Sequence, residues 1–464
     1  MHIKVCRLSG RYDEIAVSAH VKRLLICALL FVLPQWASAA TPRLRPVNGA
    51  SFAVAGIDWA KHGYVEHQYF LSGHADVLES TSAADSLSGH LARDNAADLA
   101  VRPAVVGKKL QSDRPYTTRI IVARPRAAEA FSGVVILEPL HPRGRPSAGV
   151  RLLPYLLAAG HAWVGVENPI TFRKLRREQP EVFADLAIEH PSQLWGMLTQ
   201  TAQLIRRSSL LDGPVRRIVM TGYSASGTVT SLYANSFGDR TFDGRPLIDG
   251  YLPLASGVFN HPIGVPIIRV MTQSDFALFG AAANRRDDAG TSTDRYRLIE
   301  VSGSTHSERV SDTCALYSMP ENGFDNDVPI NMVIGQALHN LIAWIDDGIS
   351  PPRAPRMELN DGRIAVDEFG HAKGGLRLPH VEAPLSSLIA AAPGCELAGF
   401  RVPLEQVRLR QLYPTAEDFV ARRTAVAEKL AQERWISQED ALRIREAALK
   451  LSAVLENSER LRER

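Results

Sequence analysis

The segment richest in potential chemistry is Arg217-Ile-Val-Met-Thr-Gly-Tyr-Ser-Ala-Ser-Gly227, where an apolar run meets a cluster of small residues around Ser224. A serine becomes an exposed nucleophile where a strand turns sharply into a helix, a nucleophile elbow. That turn requires small residues two positions before and two positions after the serine. Gly222 meets the first requirement. Ser226 stands at the second, small although not glycine, with Gly227 following. The plainer alternative is a serine that caps a helix N-terminus in a glycine-rich turn. Ser226 itself would fall inside the helix, which counts against it as the nucleophile.

A nucleophilic serine needs a histidine to take its proton and a carboxylate to orient that histidine, in the chain order Ser, Asp/Glu, His for a strand–turn–helix site. Two later segments supply candidates. The strand-like run Pro266–Met271 leads to Asp275, expected in the loop that follows, and Arg297–Val301 leads through Gly303 to His306. Both would leave neighbouring strands at their carboxyl ends, where ligands bind in open α/β sheets. Asp288 and Asp294 lie in the same connection and Glu300 within the strand. They read more simply as solvated loop charge and a strand residue. His339 falls in a helical pattern and reads as structural. The oxyanion that forms on acyl transfer needs two donors. One is expected from the N–H of Ala225. The other is expected from Leu140 or His141 in Pro139-Leu-His-Pro142, because proline has no N–H to give.

These groups must be held by alternating strands and helices. Strands are expected at Tyr69–Leu78, Thr117–Ala123, Gly133–Glu138, Ala162–Val166, Val215–Thr221, Leu247–Leu254, Pro266–Met271 and Tyr296–Val301. Helices are expected at Leu152–Ala159, Gln193–Ser208, from the elbow to Asn235, and over Val328–Ile345. The strands are near-continuous Val/Ile/Leu runs, as in a parallel sheet covered on both faces. Residues 349–403 are rich in Pro and Gly and read as an ordered loop belt. The charged helical patterns Ala416–Gln432 and Ser437–Leu451 read as a helical appendage.

With these pieces in place, the chain resembles the bacterial exported "alpha/beta hydrolase domain" family of serine hydrolases. The matching segments are Tyr69-Phe-Leu-Ser-Gly-His-Ala-Asp76, the elbow at 222–227, Ile299–His306, Ala337–Trp344, Pro351–Arg356, Gly374–Pro379 and Leu412–Thr415. The resemblance covers most of residues 60 to 450. It implies an α/β-hydrolase fold with a mostly parallel sheet, and C-terminal helices that belong to the same unit. Gln273 stands where many relatives carry Glu; were that Glu the family's acid, Asp275 would lose the role.

Composition bounds the rest. The 464 residues are 45% hydrophobic and 22% charged, an ordinary globular balance with enough apolar residues for a sizeable core. The formal net charge of +3 is carried by residues 1–40, with five basic against two acidic side chains, so the remainder is neutral. No basic run long enough to follow a phosphate backbone is present, and no nucleic-acid partner is expected. Lys22-Arg23, the apolar run Leu24–Leu33 and Ala37-Ser-Ala39 have the order of a signal peptide cleaved after Ala39 or Ala40. The alternative is a buried core helix. The long polar stretch before Lys22 points to a true start near Val21. The run is too short to span a bilayer, and no stable membrane insertion is expected. Cys6 and Cys27 would leave with the signal. Cys314 and Cys395 remain, and in an exported protein they are expected to form a disulfide, the alternative being two free buried thiols.

The expected organisation is a signal peptide over 1–40, an α/β-hydrolase core over 41–348, and a loop belt with helical extension over 349–464. The expected chemistry is hydrolysis of a small-molecule carboxylic ester through an acyl-enzyme on Ser224, without metal or organic cofactor. The alternatives are a peptidase or amidase using the same three residues, and a non-catalytic hydrolase-fold binding protein.

Overall fold

In this computed structural model the described residues are 42–48, 57–80, 106–208, 210–279, 285–307, 319–392, 394 and 396–460. The expected signal segment and both Cys314 and Cys395 lie outside them. Residues Pro42–Arg464 constitute one compact unit.

Ten strands form the central sheet: β1 (Arg43–Pro46), β2 (Tyr64–Ser80), β3 (Val106–Pro125), β4 (Val134–Pro139), β5 (Ala162–Val166), β6 (Arg217–Tyr223), β7 (Gly250–Leu254), β8 (Ile267–Thr272), β9 (Ala289–Gly290) and β10 (Arg295–Val301). Their spatial order is β1-β2-β3-β5-β4-β6-β7-β8-β10-β9. From β5 to β10 every neighbouring pair is parallel, while β1 to β3 and the short β9 are antiparallel. After β5 the chain crosses back over β4 to enter β6 on its other side. The order of the strands therefore reverses between β4 and β6, where α/β sheets place their ligands.

The alternation along each strand feeds two cores. Ile136, Val219, Leu252, Ile268 and Ile299 face one side and pack with helices Ala148–Ala159 and Ile330–Asp346. Val135, Leu137, Ile218, Met220 and Ile267 face the other and pack with helices Leu194–Arg206 and Ala225–Phe237. Because both faces are covered, the central strands are buried at every position, which explains their unbroken apolar sequences.

The C-terminal helices Ala416–Gln432 and Gln438–Arg460 are no peripheral decoration. Ala427, Leu430, Trp435, Ile436 and Ile444 belong to the same apolar core as Ile136 and Ile299. The belt is joined to the sheet edge: Leu376 N–H donates to Glu300 O at 2.7 Å, and Ser302 N–H to Leu376 O at 3.0 Å.

Three elements differ from expectation. β2 and β3 are far longer than the apolar runs that suggested them, because their distal ends form a ribbon over which Lys108 to Arg114 are exposed. A ribbon exposed in this way leaves little apolar alternation to read. Asp275 lies not in a loop but in the first turn of helix Gln273–Phe279, which follows β8 without a gap.

Candidate active site

Ser224 sits between β6 and helix Ala225–Phe237 with φ +62° and ψ −124°, a conformation that a residue bearing a side chain seldom adopts. The surrounding small residues make the turn possible. A Cβ on Gly222 would lie 2.3 Å from Ser226 O, and one on Gly227 2.3 Å from Leu254 O. Position 226 accepts a side chain and uses it: Ser226 Oγ accepts the N–H of Tyr223 at 3.1 Å and lies 2.8 Å from Ser147 Oγ. Ser226 is fully buried and spoken for, so its hydroxyl is part of the turn's scaffold.

The structure brings together Ser224, His306 and Asp275. His306 Nε2 lies 2.8 Å from Ser224 Oγ, and His306 Nδ1 lies 2.6 Å from Asp275 Oδ1. The second carboxylate oxygen of Asp275 accepts the N–H of Thr272 at 2.7 Å, so both of its oxygens are engaged and its orientation is fixed. With the carboxylate on Nδ1, the neutral imidazole keeps its proton there and turns a bare Nε2 to the serine. The other acids of that region are occupied elsewhere. Glu300 receives a two-pronged pair from Arg285 (2.8 and 2.9 Å) and the Met357 N–H (2.8 Å). Asp288 holds Arg356 at 2.7 Å, and Asp294 pairs with Arg286. His339 lies 3.2 Å from Tyr155 Oη, away from these groups in helix Ile330–Asp346.

The backbone that carries His306 is held from three sides. Its N–H donates to Ser274 Oγ at 2.7 Å, and its carbonyl accepts the Tyr223 hydroxyl at 2.7 Å. Gln273 Oε1 accepts the N–H of Gly303, at the start of the same turn, at 2.7 Å. Tyr223 is in turn covered by the Arg151 guanidinium, 3.8 Å from its ring centroid. None of these supporting roles was visible in the sequence, because each depends on contacts between strands that are distant in the chain.

The anion-binding side of the elbow requires a correction. Ala225 begins its helix, so its N–H is among the donors left without an intrahelical acceptor. The backbone groups expected opposite it are taken. Leu140 N–H donates to Val166 O at 2.8 Å, and His141 N–H to Arg145 O at 3.1 Å. The first of these bonds extends the pairing of β4 with β5 past the strand end, and the second closes the loop in a tight turn. The His141 ring offers a different donor. Its Nδ1 accepts the N–H of Arg143 at 3.2 Å, which places the proton of the neutral ring on Nε2. Burial, reinforced by Arg143 and Arg145, lowers this imidazole to about 4. His306 is among the charges that act on the His141 ring, so the two imidazoles lie in one neighbourhood.

A buried carboxylate fixes that loop. Glu138, near the carboxyl end of an apolar strand, accepts the N–H groups of Ser147, Ala148 and Gly149 at 2.7 to 2.8 Å and that of the Trp163 indole at 2.9 Å. Desolvation pushes its carboxyl upward, while these donors oppose the shift. A charge placed at a helix N-terminus is favoured there. A carboxylate that directly follows the buried run Val134-Val-Ile-Leu137 is the sequence signal for this anchor.

Among solved structures, the chain is similar to a cold-adapted esterase from an Arctic intertidal metagenomic library, with 13% identity and a TM-score of 0.27 over 57% of this chain and 95% of that one. It is also similar to a glucuronoyl esterase from Teredinibacter turnerae, with 10% identity and a TM-score of 0.27 over 56% and 74% of the two chains. These values carry no argument about substrate. No curated protein matches the sequence. The model of one family, described as "Alpha/beta hydrolase domain", matches residues 37–446, nearly the whole length from the end of the expected signal to the last helix. On that match, the chain belongs to the alpha/beta hydrolase domain family.

Proposed function

We propose that this protein is an exported serine hydrolase that cleaves small-molecule carboxylic esters through an acyl-enzyme. The observation that carries the reading is the continuous line of hydrogen bonds from Ser224 Oγ through His306 to Asp275. Family membership supports hydrolysis in general. Export rests on the order of charged, apolar and small residues in positions 22–39.

In this reading, Ser224 Oγ attacks the ester carbonyl carbon while its proton passes to His306 Nε2. Asp275 stabilises the imidazolium through Nδ1–H and does not take the proton itself. The new oxyanion is received by the Ala225 N–H, at the positive end of its helix, and by His141 Nε2–H. Donors fixed by the fold before reaction need no reorganisation as the charge develops, which is what makes such groups effective. As the tetrahedral intermediate collapses, His306 returns its proton to the departing alcohol. A water molecule then gives a proton to His306 and attacks the acyl carbon. The carboxylic acid leaves and Ser224 recovers its hydrogen. No step calls on a group beyond these side chains and water.

The test is a panel of 4-nitrophenyl esters, matching anilides and short peptides offered to the purified chain. Saturable ester hydrolysis that is lost in His306→Ala supports the reading. Cleavage of anilides or peptides in preference to esters would replace it with an amidase.

A further inference from the structure

A cavity of about 510 Å³ lies between helices Ala416–Gln432 and Gln438–Arg460 and the belt strand Ser386–Ile389. Much of its wall is apolar, from Pro329, Met332, Leu385, Leu388, Ile444 and Leu451. Its volume is within the range of small-molecule sites. None of the three residues of the serine site lines it.

Its charges are unbalanced. Arg401, Arg423, Arg443 and Lys450 line the space against one acid, Asp327. That acid is already taken, with Arg401 Nε 3.2 Å from its carboxylate. Arg443 is paired along its own helix with Glu439 at 2.5 Å and Asp440 at 3.6 Å. Arg423 is different. It is only 6% exposed, and among the described residues it makes no hydrogen bond and touches no carboxylate; Asp327 acts on it at a distance and is shared with Arg401, and its contact is the face of Phe419, 5.5 Å from the guanidinium. Arginine stays charged in proteins, and a buried charge with no carboxylate in contact is costly. Beside it, the Nδ1 of His380 is buried and also unpartnered. An arginine that is nine-tenths buried and faces an apolar cavity has the makings of half an ion pair.

We propose that this cavity binds an organic monocarboxylate with an apolar body, its carboxylate on Arg423 and its chain against Met332, Leu388 and Ile444. The planar guanidinium matches a carboxylate in two-pronged fashion, and the apolar wall removes the chain from water. The site stands apart from the serine chemistry and does not depend on it.

The probe is octanoate, titrated by calorimetry into the full chain carrying Ser224→Ala, with octan-1-ol as the uncharged control. One saturable site is expected, with the alcohol at least tenfold weaker. Arg423→Met keeps the packing length and removes the charge; it should weaken octanoate at least tenfold. Because a buried substitution can disturb folding, Ala447→Trp serves as the second variant. It adds a ring at an exposed helix position that lines the cavity, and it should abolish binding in a protein with an unchanged circular dichroism spectrum. Absence of saturable binding would overturn the proposal. So would octan-1-ol binding as tightly as octanoate, or octanoate binding undiminished in Ala447→Trp.

Discussion

Gln273 Oε1 accepts the N–H of Gly303 at 2.7 Å and that of Ala372 at 3.1 Å, so one side-chain carbonyl ties the helix bearing Asp275 to the turn bearing His306 and to the belt. Residue 273 is thus a positioning residue, and the acid beside His306 is two residues further on. Removing the acceptor leaves two buried N–H groups unsatisfied, at about 1–3 kcal/mol each. Gln273→Leu should therefore lower the melting temperature and reduce kcat about tenfold by loosening the His306 turn. Gln273→Glu keeps an acceptor at the same place and should retain most of both. Thermal melts and ester kinetics on the two variants check this, and equal behaviour of Leu and Glu would remove the latch from the account.

The acid gives a sharper test. Asp275 Oδ2 is fixed by the Thr272 N–H, so an asparagine there must turn its carbonyl to Thr272 and its NH₂ to His306. An amide donor at Nδ1 forces the histidine proton onto Nε2, the tautomer that cannot accept from serine. Loss of a triad aspartate in this way costs on the order of 10⁴ in turnover in a serine protease. Asp275→Asn should cut kcat at least 10²-fold, roughly 3 kcal/mol or more. Glu300→Gln should leave kcat within about tenfold, although it weakens the Arg285 pair and lowers stability. Near-full activity in Asp275→Asn with loss in Glu300→Gln would reassign the acid.

His141 carries both a catalytic and a pH expectation. Its folded pKa of about 4 lies below the ordinary histidine value, so the unfolded chain binds this proton more readily. The contribution is absent above about pH 7 and removes stability as pH falls from about 6.5 towards 4. His141→Ala should reduce kcat by about 10²- to 10³-fold at pH 7, following the loss of one oxyanion donor. It should also flatten the fall in melting temperature between about pH 6.5 and 4. An unchanged kcat would return the second donor to another group.

Much of the site could be read from the sequence because its groups lie at the ends of apolar strands, where spacing and order report directly on position. Ser224, Asp275 and His306 each follow such a run, and the structure brings their side chains into one line. What escaped notice depends on contacts across strands. Ser274 and Tyr223 hold His306 through its backbone, and neither residue type announces such a role. The loop after β4 differs from expectation because the N–H groups of Leu140 and His141 are spent, one on Val166 of β5 and one in a tight turn with Arg145. Neither bond has a sequence signature. The C-terminal helices looked peripheral because they are strongly charged, yet Trp435 and Ile436 reach the common core from the turn between them.

Export and the cysteine pair can be tested together. Ser307 N–H donates to Leu397 O at 2.8 Å, so the residue after His306 meets the chain two positions beyond Cys395. A bond between Cys314 and Cys395 would close a loop of about 80 residues and contribute around 4 kcal/mol by chain entropy. Secreted material should begin at Ala40 or Thr41 and show no titratable thiol until it is reduced. A mature chain that keeps its first forty residues, or two free thiols in the unreduced protein, would contradict these expectations.

The central claim is that Ser224 is the nucleophile, and the most direct measurement is covalent capture by a fluorophosphonate probe followed by peptide mass mapping. The strained elbow and the bare Nε2 of His306 at 2.8 Å predict one adduct, on the peptide containing Ser224. Labelling should vanish in Ser224→Ala while the melting temperature stays within a few degrees of the unaltered chain. Full labelling of Ser224→Ala, or an adduct mapped to Ser226 or another residue, would contradict the account.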